Sequence, residues 1–150
     1  MFRSCLQVCV GLSVMLAAAC AGERRGLVLT PAGPLEPITW TDAELVRDIA
    51  IRPLRTTDQA SYAVVRIVTA EAPHVHDRHD LTVFVLSGRV AMHLADRMVI
   101  VEPGNLIDVP RGMRHWAENL ADPASEAYVI FTPAFDGRDR RLIQPDSADE

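Results

Sequence analysis

The sequence predicts an all-β domain, a sandwich or barrel of short antiparallel strands preceded by one short helix. Two observations predict it. Short runs rich in β-branched and aliphatic residues recur every eight to twelve residues or so. Turn residues stand between them, at Gly88, Ala95-Asp96, Pro103-Gly104, Pro110 with Gly112, and Pro133. There is no internal repeat beyond this strand rhythm. A chain of 150 residues fits one domain, and its aliphatic content is enough for a core. All 15 basic residues are arginine, and the net charge is −5 with no basic stripe. That excludes nucleic acid as a partner, because phosphate contact needs clustered Arg or Lys.

Residues 1–20 read as an export signal. Arg3 supplies a short positive region, and Leu6 to Leu16 is apolar apart from Gln7 and Ser13. Ala17, Ala18 and Ala19 then precede Cys20. The apolar stretch is short for a membrane span and suits a cleaved signal. Small residues ending at Cys20 resemble a bacterial lipoprotein signal, in which that cysteine carries lipid. Ala17 stands where that pattern usually has Leu. Plain cleavage after Ala19 or Ala21 is the alternative. Removal of Cys5 and Cys9 with the signal would leave Cys20 the only cysteine, so no internal disulfide can form. The expected location is the periplasmic face, either anchored to the outer membrane through Cys20 or soluble in the periplasm. The lipid would be the only membrane contact.

Residues 21–40 are rich in Gly and Pro and read as a linker. The domain proper is expected over residues 41–137. It opens with Thr41-Asp-Ala-Glu44, a capping-box pattern that predicts a helix from Asp42 to about Ile49. Strands follow over Ser61 to Thr69, Thr82 to Leu86, Arg89 to Leu94, Arg97 to Val101, Leu106 to Val109, His115 to Glu118 and Ala127 to Thr132. Thr82 to Leu86 is apolar on both faces, as a strand covered on both sides should be. Residues 138–150 are charged and are expected to fray as a flexible C-terminal tail.

The chemistry concentrates in His74-Val-His76-Asp-Arg-His79-Asp80. On an extended strand, His74 and His76 point the same way. His115 lies far downstream in Pro110-Arg-Gly-Met-Arg-His115. Neutral imidazole is the commonest ligand for divalent transition metals, so His74, His76 and His115 are candidates for one site. Asp80 is the candidate fourth ligand, and His79 competes with it. His79, His93 and Asp108 otherwise read as exposed, and Trp116 as packing or rim. Arg78, Arg111 and Arg114 either line the mouth and attract an anion or form a solvated rim.

These residues resemble the cupin family. Its second motif is Gly, five residues, Pro, one, Gly, two, His, three, Asn. Gly104, Pro110, Gly112, His115 and Asn119 stand at those spacings. Its first motif is His, one, His, three or four, Glu, six, Gly. His74, His76 and Gly88 match, but the Glu position falls on Leu81, beside Asp80. The resemblance covers residues 60–134. It implies a jelly-roll or double-stranded β-helix barrel and a site for a divalent Fe, Mn, Ni, Cu or Zn ion. Three functions follow as alternatives: an exported metal and small-ligand binding module, a metal-dependent enzyme (oxygenase or isomerase), or a structural homodimer that leaves the site unused. Because the ligands must be deprotonated, metal binding is expected to weaken as pH falls through the ordinary imidazole range near 6.5.

Overall fold

The computed structural model describes residues 24–143 of the chain. The export signal, Cys20 and residues 144–150 lie outside the described residues. The fold is almost entirely β. In chain order the elements are β1 (Leu29–Thr30), β2 (Gly33–Pro34), α1 (Asp42–Leu45), β3 (Ile49–Thr56), β4 (Ser61–Ile67), β5 (His74–Val75) and β6 (Asp80–Ser87). They continue as β7 (Val90–Leu94), β8 (Arg97–Val101), β9 (Leu106–Val109), β10 (His115–Asn119), β11 (Ser125–Thr132) and β12 (Arg141–Leu142). Two five-stranded antiparallel sheets form, in the orders β12-β5-β10-β7-β8 and β3-β4-β11-β6-β9. They enclose the interior as a double-stranded β-helix. No helix among the described residues is long and apolar enough to cross a membrane.

The inner faces follow from strand alternation. On β6, Leu81, Val83 and Val85 face the barrel interior, while Thr82 and Phe84 face outward beside Tyr128 and Ile130. Leu81, Val85, Val90, Met92, Leu94, Val101, Ile107, Val109 and Val129 belong to one buried cluster. Each such side chain contributes roughly 1.5–3 kcal/mol when removed from water.

The capping box forms as expected: the Thr41 backbone N–H donates to Glu44 Oε2 at 2.8 Å. The helix is shorter than expected, because the chain from Ile49 pairs with β4 as strand β3. Three other expectations are corrected. Residues 24–40 are not a free linker. The Gly26 N–H donates to Leu86 O at 2.6 Å, and Trp40 Nε1 donates to Glu126 Oε1 at 2.6 Å. Leu27 and Val28 lie over Phe84, and this cover is why β6 could be apolar on both faces. Residues 138–143 are not frayed either: Asp139 is buried, and β12 pairs with β5. His79 is buried rather than exposed.

Motif residues meet in space. Gly88 has φ +84°, and a Cβ there would lie 2.2 Å from Ser125 Oγ. Ser125 Oγ accepts the Arg89 N–H at 3.0 Å and donates to Asn119 Oδ1 at 2.6 Å. Asn119 Nδ2 in turn donates to Val68 O and Ala121 O. The Gly of the first motif and the Asn of the second thus share one buried polar node. At the other end of the barrel, the Gly112 N–H donates to His76 O at 2.7 Å. That bond fixes the turn before His115 against the His segment.

Candidate metal centre

His74 and His115 are register partners across the β5–β10 pair. His76 follows two residues after His74. One nitrogen from each ring can be chosen so that all lie within 4.8 Å of one another, close enough for one ion. Ring centroids are 4.4 Å apart for His74 and His115, 5.1 Å for His74 and His76, and 5.4 Å for His76 and His115. All three side chains are buried.

The backbone decides which nitrogens are free. His74 Nδ1 lies 2.9 Å from Ala72 O, His76 Nδ1 2.7 Å from Asp139 O, and His115 Nδ1 2.9 Å from Met113 O. A carbonyl only accepts, so each Nδ1 carries the proton and each Nε2 keeps its lone pair. This is the arrangement that orients metal-ligating imidazoles. His115 Nε2 is buried with no hydrogen-bond partner among the described residues. A buried polar atom without a partner is costly, and a cation would satisfy it.

Burial disfavours the charged form and lowers all three imidazoles, His74 to about 3. The sign of the pH dependence follows. Below about 6.5 the unfolded chain binds protons at these rings and the native protein does not, so stability falls as pH falls. For His74 that loss runs from about 6.5 down to about 3. The expected result is a denaturation midpoint in urea that is lower at pH 5 than at pH 7.5 in metal-free protein. For the same reason, proton competition for the native site sets in well below the ordinary imidazole range, lower than sequence alone suggested.

Asp80 does not join the three rings, which corrects its assignment as fourth ligand. Its carboxylate accepts from the Arg111 backbone N–H at 2.9 Å and from Arg111 Nη2 at 2.6 Å. These bonds hold the Asp80 carboxyl at about 2. The register shift that would turn it inward is absent: β6 pairs regularly with β9 from Leu81 onward. Leu81, at the family's acidic position, faces the interior. His79 is no ligand either. Its Nδ1 contacts Asp139 Oδ2 and its Nε2 lies 3.2 Å from Ala134 O, so both nitrogens are engaged by acceptors.

His93 stacks on Trp116 at 4.0 Å, away from the site. Asp108 is exposed and accepts from Thr82 Oγ1. Of the three arginines proposed for the mouth, Arg78 pairs with Asp136 and Asp139, Arg111 with Asp80, and Arg114 lies over Trp116.

Three residues around the candidate site escaped the sequence reading. Asp139 gives its backbone carbonyl to His76 and its carboxylate to His79 and to the Asp77 and Arg78 N–H groups. Burial works to raise the Asp139 carboxyl, but these bonds outweigh it and hold it at about 2. Glu71 and Arg140 line the same cavity as the three histidines. Glu71 read as a bend residue, though its place three residues before His74 was a usable signal. Asp139 and Arg140 stood in a charged run with nothing to mark them.

The Cupin domain family (Cupin_2) matches residues 64–131. An uncharacterized protein of Aquifex aeolicus is 34% identical over 99 residues, covering 66% of this chain and 81% of that protein. An acireductone dioxygenase of Frankia alni is 31% identical over 111 residues, covering 68% of this chain. The chain spans about half of that dioxygenase's length, 54%. Among solved structures, KdgF from Halomonas sp. is similar with a TM-score of 0.59 at 26% identity, covering 66% of this chain and 89% of KdgF.

Proposed function

From the match of residues 64–131 to the Cupin domain family, we propose that the chain is a cupin that binds a divalent transition metal through His74, His76 and His115 and takes a small-molecule ligand into its barrel. One observation carries the reading: three backbone carbonyls hold the Nδ1 protons, which leaves three Nε2 lone pairs converging in a buried pocket. An all-imidazole donor set suits Fe, Mn, Ni, Cu or Zn. Three protein ligands leave open positions, and a metal held there would polarise an oxygen bound beside it. Asp139 O orients His76, Ala72 O orients His74, and Met113 O orients His115. Leu81, Val83 and the paired Phe131 and Phe135 rings keep the surroundings apolar.

A second reading, a metal-dependent oxygenase, is favoured by the similarity to acireductone dioxygenase. The apolar Leu81 weighs against it, since a carboxylate at that position is part of the family's first motif. Export and lipidation at Cys20 belong to the proposal too. Their support is the apolar stretch Leu6 to Leu16 followed by Ala17, Ala18, Ala19 and Cys20.

The test is elemental analysis of the purified full-length protein, followed by zinc titration of the metal-stripped form. One metal ion per chain is expected; none would refute the proposal. Asp80→Ala should leave zinc affinity unchanged within twofold or so, because its carboxylate is committed to Arg111 at the surface. A loss of zinc in that variant would instead restore Asp80 as a ligand.

A further inference from the structure

The histidines form one wall of a cavity of about 490 Å³. That volume lies within the range of about 300–1,000 Å³ typical of small-molecule sites. Much of the remaining lining is aliphatic, Ala63, Val65, Val83, Ala117, Ala127 and Val129 among it. These side chains are small or branched, so the barrel is hollow where larger residues could have filled it. An apolar cavity holds water poorly, because water there lacks polar partners. Such a space suits an apolar guest.

Glu71 and Arg140 line the cavity with the three imidazoles. Ser125 and Glu126 line it elsewhere, but Ser125 is bonded to Arg89 and Asn119, and Glu126 to Arg25 and Trp40. Arg140 follows Asp139, whose carbonyl holds His76, so the backbone brings Arg140 to the histidine end. Its charge acts on Glu71, His74, His76 and His115 alike. Its Nη2 makes one weak contact, to Ala72 O at 3.3 Å. Among the described residues, no carboxylate forms an ion pair with it, whereas Arg78, Arg111 and Arg141 each have one. Burial raises the Glu71 carboxyl, and its Oε2 accepts the Ala117 N–H at 3.2 Å.

We infer that the ligand is an amphiphilic anion, with an apolar body in the aliphatic cavity and an oxyanion head between Arg140 and the three imidazoles. The inference rests on the metal reading above for one of the two head contacts. A guanidinium and a metal at one end of an apolar cavity select such a molecule over a neutral apolar one or a small polar anion. The former leaves the head contacts unused, and the latter leaves the cavity empty.

Octanoate, 1-octanol and acetate separate these contributions by calorimetric titration of the full-length protein, with zinc and after metal removal. Octanoate should bind the zinc-loaded protein at least tenfold more tightly than either acetate or 1-octanol. Arg140→Gln, at an exposed position, should weaken octanoate about tenfold, leave 1-octanol unchanged and leave zinc bound at least as tightly. Ala127→Phe, which fills the cavity, should weaken octanoate and 1-octanol together with zinc unchanged. Removing zinc should weaken octanoate and leave 1-octanol alone. Octanoate no tighter than acetate, or indifferent to Arg140→Gln, overturns the inference while zinc binding stands. A protein that takes no zinc overturns the metal reading, and with it the placement of the head at the imidazoles.

Discussion

His115→Ala should lower zinc affinity by more than about 100-fold, since even residues that merely orient a ligand are worth about 10–100-fold. His115 is the only one of the three histidines that β10 supplies, and its Nε2 is a buried atom with no hydrogen-bond partner among the described residues. His74 and His76 alone would leave two nitrogens on one short segment. The metal-free fold should survive. Removing the imidazole empties some packed volume, but it also removes a desolvated atom whose lack of a partner costs about 1–3 kcal/mol. Zinc titration and urea denaturation of the same variant therefore diverge: metal lost, midpoint close to wild type. Full zinc affinity in His115→Ala would mean that the three rings do not act together.

Gly88→Ala should cost at least about 3 kcal/mol of stability, a large part of the roughly 5–15 kcal/mol that holds a typical domain together. Two effects add. The backbone sits at φ +84°, where an L side chain is strained by about 1–2 kcal/mol. The new Cβ would also lie 2.7 Å from the Ser125 Cα, which is backbone and cannot swing aside. Moving Ser125 breaks its bonds to the Arg89 N–H and to Asn119, leaving buried polar groups unpaired. Gly112→Ala is the internal control. It has φ +79° but open space around the new Cβ, so only the backbone strain applies. Equal urea midpoints for the two variants would show that the contact with Ser125 does not matter.

The parts of the fold legible in sequence were those set by local pattern. β8 and β9 carry the expected bounds because turn residues frame them, at Ala95-Asp96, Pro103-Gly104 and Pro110. His74, His76 and His115 could be grouped because, with Gly88, Gly104 and Gly112, they stand at the spacings of the two cupin motifs the sequence resembles. What stayed hidden depended on distant partners. Ile49–Thr56 becomes a strand because β4 offers it an edge, which overrides the helical start at Thr41. Residues 24–40 have the composition of a linker, but they are held by Leu86 and Glu126, far along the chain. Asp80 looked like a ligand by adjacency. Only the pairing of β6 with β9 shows that it meets Arg111 instead.

β5 consists of two residues, with one register pair to β10 and two to β12. By contrast, β4 and β11 share seven. His74 therefore sits on a sparsely paired element and His76 directly follows it, both braced by the segment 138–143. Local opening of such an element takes much less free energy than unfolding the whole domain. The residence time of a bound ion would then be set by how often this rim frays. A barrel that is slow to unfold could still exchange its metal quickly, and substitutions in the strap 138–143 would tune the exchange without touching the core.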